Sequence, residues 1–103
     1  MAMRYTFSPL AASDLRSIGD HIAEHSPSDA RRFVEAIRDR VRALAATPLG
    51  GPARPDLARD LRVCPFRSYL LFYRVRPGSI RIERVLHAAR DVAGMAGTGA
   101  FDS

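Results

Sequence analysis

Residues 68–91, S-Y-L-L-F-Y-R-V-R-P-G-S-I-R-I-E-R-V-L-H-A-A-R-D, constrain the fold more than any other stretch of the chain. Two runs rich in β-branched and aromatic residues flank Pro77-Gly78, a turn dipeptide, and together they predict a β-hairpin. Proline fixes one φ and glycine supplies a positive one, so Arg76 to Ser79 reverse the chain without strain. The loop is expected to be somewhat longer than the tightest two-residue type. The first arm, Tyr69 to Val75, is almost continuously apolar and aromatic, the pattern of an interior strand covered on both sides. The second arm mixes Ile80, Ile82, Val85 and Leu86 with Arg81, Glu83, Arg84 and His87, which predicts one buried face and one charged face. Its alternation slips near Arg84 and Val85, where a bulge is expected.

The residues before the hairpin supply the other elements. Met3 to Phe7 reads as a first strand. Ser8-Pro9 opens a helix, with serine as N-cap and proline in its first turn. Ala11, Leu15, Ile18 and Ile22 recur at helical spacing and form one apolar face. That helix must end near His25, because Pro27 disfavours helical geometry in the residue before it. Ser26-Pro27-Ser28-Asp29 opens a second helix with a capping-box-like start. Ala30, Phe33, Ile37, Val41 and Leu44 make its buried stripe, and Arg31, Arg32, Arg38 and Arg42 stand outside with Glu35 and Asp39. So short a link between the helices forces an antiparallel helical hairpin. Residues 48–55 form a breaker-rich loop whose prolines favour an ordered lid or edge over a linker. Leu57 to Cys64 leads into a strand, and Pro65 marks a strand end or edge position. The reading is a single α+β domain, β-α-α-β-β-β, with the helical hairpin packed on one face of a small antiparallel sheet. The domain is expected over residues 1–93, with 94–103 as a flexible Gly-rich tail.

With 103 residues, 47% of them apolar, the chain builds one modest core. The formal charge is +5, and all 16 basic residues are arginines. Guanidinium groups make bidentate contacts with carboxylates and phosphates, so the surface suits an acidic protein segment or a nucleic acid. A high-GC genome also enriches arginine, so composition alone does not choose. Cys64 is the only cysteine and sits in a strand pattern, which fits a small buried hydrophobe in a reducing cytoplasm. No signal peptide and no membrane-spanning run is expected. His21 and His25 stand four apart, but Ile22 occupies the position where a zinc-binding H-E-x-x-H helix carries glutamate. Neither a metal nor a cofactor is expected.

Several pieces, taken in order, resemble the ParE/RelE toxin superfamily of bacterial toxin–antitoxin modules. They are Ser8-Pro9 with Ala11, Asp14-Leu15 and Ile18; Ser26-Pro27 with Ala30 and Phe33; Leu44 with Pro48 and Gly50; Leu61-Arg62; Tyr69-Leu70-Leu71 with Tyr73-Arg74-Val75; and Val85-Leu86-His87 with Arg90-Asp91. The similarity runs from Tyr5 to Asp91 and is closest to the ParE branch, the toxins associated with plasmid stabilization. It implies a type II toxin that inhibits DNA gyrase by binding. It also implies neutralisation, in a hetero-oligomer, by a cognate ParD-like antitoxin pairing a DNA-binding ribbon-helix-helix with an acidic tail. The antitoxin is expected to contact Leu15, Ile18, Arg31, Phe33, Ile37, Arg38 and Arg62.

A RelE-like, ribosome-dependent mRNA endonuclease is the alternative. Attack by a ribose 2′-OH needs a base, an acid and cations for the phosphorane charge. Arg62, Arg67, Arg84 and Arg90 are the candidate cations and His87 the candidate proton carrier. Nucleases of that branch usually carry lysine or glutamate in these strands and a tyrosine or histidine in the C-terminal tail. This chain has no lysine, and its tail after Asp91 holds no tyrosine or histidine. The binding-type reading is therefore preferred over the enzymatic one.

Overall fold

The computed structural model describes residues 3–102; Met1, Ala2 and Ser103 lie outside the described residues. The elements are β1 (Arg4–Phe7), α1 (Pro9–Ala23), α2 (Pro27–Ala46), β2 (Arg62–Phe66), β3 (Tyr69–Arg76) and β4 (Ser79–His87), followed by a short 3-10 turn at Ala93–Met95.

Both helices start where the capping residues place them. Ser8 Oγ accepts from the Ala11 N–H at 3.0 Å and also donates to the Glu83 carbonyl at 2.8 Å. The cap that starts α1 therefore also ties it to β4. Ser26 Oγ accepts from the Asp29 N–H at 3.2 Å. The Asp39–Arg42 pair forms at 2.5 Å on the exposed face of α2. The apolar stripes of the two helices face the sheet. Ala11, Leu15, Phe33, Ile37, Val41 and Leu44 meet Cys64, Leu71, Tyr73, Ile80, Ile82 and Val85 in one core. Cys64 is buried there as a small hydrophobe.

The sheet order is β1-β4-β3-β2, which puts the apolar β3 inside as its composition requires. Two expectations are corrected. The sheet is mixed: β2, β3 and β4 are antiparallel, but β1 pairs parallel to β4, from Arg4 opposite Ser79 to Phe7 opposite Ile82. The connection after β1 carries two helices, and a connection of that length permits a parallel neighbour. The hairpin loop is also tight: Arg76 pairs with Ser79, leaving only Pro77 and Gly78, with Gly78 at φ +72°. The bulge falls where the alternation slips, with the register stepping from Phe72–Arg84 to Tyr73–Ile82 and leaving Glu83 as the extra residue.

A second core covers the other face of the sheet. Leu57, Leu61, Val63, Phe72, Leu86 and Phe101 are buried there. Two further expectations change as a result. The charged face of β4 is not solvated, because Glu83 and Arg84 are buried along with Arg74. Of the segment 94–103, expected to trail as a tail, the described residues 94–102 fold back so that the Phe101 ring packs tilted against Phe72, 5.0 Å between centroids, with only 2% of the residue exposed. An aromatic ring and three guanidinium or carboxylate groups beneath it give this segment more to bury than its glycines suggest.

The loop after α2 is an ordered edge, as its prolines predict. The Tyr73 hydroxyl donates to the Pro48 carbonyl at 2.8 Å and accepts from the Gly51 N–H at 3.0 Å. Val63 N–H donates to the Pro52 carbonyl and Arg54 N–H to the Leu61 carbonyl, so the loop runs along the outer side of β2.

Candidate functional site

Three of the five nuclease candidates take up separate tasks. Arg62, on β2, donates to the Gly51 carbonyl at 2.7 Å and the Leu49 carbonyl at 3.3 Å, and so braces the loop. Arg67, in the β2–β3 turn at φ +53°, lies over the Phe66 and Phe33 rings at 5.1 and 5.8 Å. Arg84, on β4, forms a bidentate pair with Asp14 of α1, at 2.7 Å through Nε and 2.9 Å through the second Nη, and also donates to the Ala100 carbonyl. Asp14 accepts a third bond from the Val85 N–H at 3.0 Å.

His87 and Arg90 are brought together. They line a cleft of about 380 Å³ between α1 and the end of β4, with His21, Tyr69, Ile18 and Leu86. His87 Nδ1 accepts from the Ala89 N–H at 3.0 Å, which makes Nε2 the protonated nitrogen of the neutral ring. Its ring stands edge-on to Tyr69 at 5.4 Å. Asp91 accepts from the Gly94 N–H and closes the following turn instead of pairing with Arg90.

The expected antitoxin contacts divide in the same way. Leu15, Phe33 and Ile37 belong to the core against the sheet, and Leu15 also lines the opening between the two helices. Ile18 is half-buried, and Arg31 and Arg38 are exposed on α2. The open apolar surface lies instead between the two helices. A cavity of about 390 Å³ there includes Ala12, Gly19 and Val34, rimmed by Arg16, Asp20 and Arg38. It runs into a second of about 440 Å³ that includes Ala23, Ala30 and Arg31. Small residues on both helices leave this channel open, and its rim carries Arg16, Arg31 and Arg38 together with Asp20 and Glu35. A buried stripe is easily mistaken for a docking stripe in sequence, because both are apolar at helical spacing.

Two groups escaped the sequence reading. Arg74 is 5% exposed, and its guanidinium meets Glu83, the Arg59 carbonyl at 2.8 Å, the Phe101 carbonyl at 2.8 Å and Asp102 at 2.9 Å. Glu83 also pairs with Arg81 at 3.0 Å. The available signal was an arginine inside an otherwise apolar interior strand, since a charge there needs a partner. The second is Tyr73: burial pushes its phenol above the ordinary range, and its hydroxyl bridges the Pro48 carbonyl and the Gly51 N–H. Among the described residues no group of three or more His, Cys, Asp or Glu is placed to hold a metal ion. Among the described residues no helix is long and apolar enough to cross a membrane.

The fold is a helical hairpin laid on one face of a mixed four-stranded sheet, with a channel carrying Arg16, Arg31 and Arg38 between its helices. Residues 5–92 match the ParE toxins of type II toxin–antitoxin systems, parDE. The chain is 35% identical over 80 residues to Toxin RelE2 of Caulobacter vibrioides, covering 78% of this chain and 89% of that protein. It superposes on a chain from the chromosomal ParDE TA system of P. aeruginosa with a TM-score of 0.70 and 26% identity, covering 84% of this chain and 96% of that one. The chain belongs to the ParE toxin family of type II toxin–antitoxin systems.

Proposed function

We propose that this toxin acts in the cytoplasm by binding DNA gyrase, and that a ParD-like ribbon-helix-helix antitoxin silences it in a hetero-oligomer. The observation that carries the binding-type reading is the dispersal of the nuclease candidates: Arg62, Arg67 and Arg84 are engaged with the loop, two aromatic rings and Asp14. The antitoxin would lay an amphipathic acidic segment in the channel between α1 and α2, with apolar side chains on Ala12, Gly19 and Val34 and carboxylates on Arg16, Arg31 and Arg38. The similarity to the ParDE system of P. aeruginosa supports this pairing.

The alternative, a ribosome-dependent mRNA endonuclease, is favoured by one observation, the shared cleft of His87, Arg90 and Tyr69. Two assays on purified protein decide between the readings. Accumulation of cleaved DNA with gyrase is the expected result. Cleavage of mRNA on programmed ribosomes that disappears in His87→Ala would overturn the gyrase reading.

A further inference from the structure

The face of the sheet turned away from the helices holds three consecutive residues of the chain's own C-terminal segment, and each is held by a different means. The Ala100 carbonyl accepts from Arg84 at 2.9 Å. The Phe101 carbonyl accepts from Arg74 at 2.8 Å, and the Phe101 ring packs on Phe72 within the cluster of Leu57, Leu61 and Leu86. The Asp102 carboxylate pairs with Arg74 at 2.9 Å. Between Ala88 and Gly99, by contrast, only Val92 and Met95 are even partly buried. Attachment of the segment is therefore concentrated in Ala100, Phe101 and Asp102.

We propose that this face is a peptide-docking groove, and that the partner it fits is an extended segment with a large apolar side chain followed directly by an acidic residue. Two guanidiniums read the main-chain carbonyls at the apolar position and the one before it, an apolar pocket reads the side chain, and Arg74 also reads the acid. The donors are held in place by groups outside the segment: Asp14 grips Arg84, while Glu83 and the Arg59 carbonyl grip Arg74. They stay aimed at the groove when it empties, which lowers the ordering cost of a ligand. Leaving them unpaired is costly, so an emptied groove favours refilling by a segment of the same chemistry. Residues 100–102 act as a tethered resident ligand, and a partner must outcompete their effective concentration. The proposal holds whether the toxin's target is gyrase or the ribosome.

The probe is a fluorescent heptapeptide with the chain's own terminal sequence, GTGAFDS. It is titrated into the full-length protein and into the full-length Phe101→Ala, Asp102→Ala variant. The variant should bind the peptide at least tenfold more tightly than the parent. Binding should be lost when the peptide's Phe is replaced by Ala or its Asp by Arg. A cooperatively folded variant that ignores GTGAFDS, or that binds all three peptides alike, overturns the proposal. If the variant does not fold by itself, added GTGAFDS should restore a cooperative melt, and a melt indifferent to the peptide overturns the proposal equally.

Discussion

Asp14→Ala tests how α1 is fastened to β4. The carboxylate accepts three hydrogen bonds, at 2.7 and 2.9 Å from Arg84 and 3.0 Å from the Val85 N–H. The two side chains are 10% and 15% exposed, so water cannot replace the lost partner fully. Breaking a buried pair from one side costs about 3–5 kcal/mol, and the residual exposure places this one at about 3 kcal/mol. That is a large share of the roughly 5–15 kcal/mol that holds a domain of this size. With a urea slope of about 1–1.5 kcal/mol/M, the unfolding midpoint should fall by about 2–3 M. Arg84→Leu and the double variant complete a thermodynamic cycle. Because the double variant leaves no unpaired cation, it should be more stable than Asp14→Ala alone. A loss below about 0.5 kcal/mol in Asp14→Ala, as for an exposed ion pair, or strict additivity across the cycle, would refute the reasoning.

Three further outcomes are expected. Tyr73→Phe strands the Gly51 N–H and the Pro48 carbonyl and should cost about 1–3 kcal/mol by denaturant titration. In the parent, burial raises the Tyr73 pKa, so the folded state holds its proton longer than the unfolded one. That contribution is complete below the ordinary phenol value of about 10 and is lost as pH rises beyond it; an alkaline stability profile that does not change in Tyr73→Phe would contradict this. In Gly51→Ala, the new Cβ would lie 2.5 Å from the Val63 carbonyl oxygen and 2.6 Å from the Tyr73 hydroxyl. Neither can move without breaking the loop's attachment, so a loss of about 1–3 kcal/mol is expected in thermal melts. Arg31→Glu with Arg38→Glu should slow antitoxin association by about tenfold or more at low salt, and unchanged stopped-flow kinetics would exclude the channel between the helices as the docking surface.

Local chemistry was legible in the sequence. Ser8 and Ser26 announced both helix starts, the apolar stripes named most of the helical core, and the slipped alternation at Arg84 located the bulge. Features set by pairing between distant residues were not. The parallel edge depends on which side of the β2–β4 meander receives β1, and the sequence of a four-residue strand does not encode that choice. Asp14 meets Arg84, and Arg74 meets Phe101 and Asp102, only after the sheet has formed. Read without those partners, the charges looked solvated and the glycines of the last segment looked like a free end. The site suffered most from this: Phe33 and Ile37 are apolar at helical spacing because they are core, while the open channel, where Leu15 and Val34 are joined by Ala12, Gly19, Ala23 and Ala30, carries little periodic signal.

The run of residues 51–54 along β2 also limits how molecules of this toxin meet one another. Main-chain groups on that margin are already spoken for by Pro52 and Arg54, and Pro65 removes one more donor. At the opposite margin β1 is only four residues long and begins with an arginine. A sheet bordered in this way resists lateral stacking into aggregates. Among the described residues, β1 is the border where a visiting strand could extend the ladder.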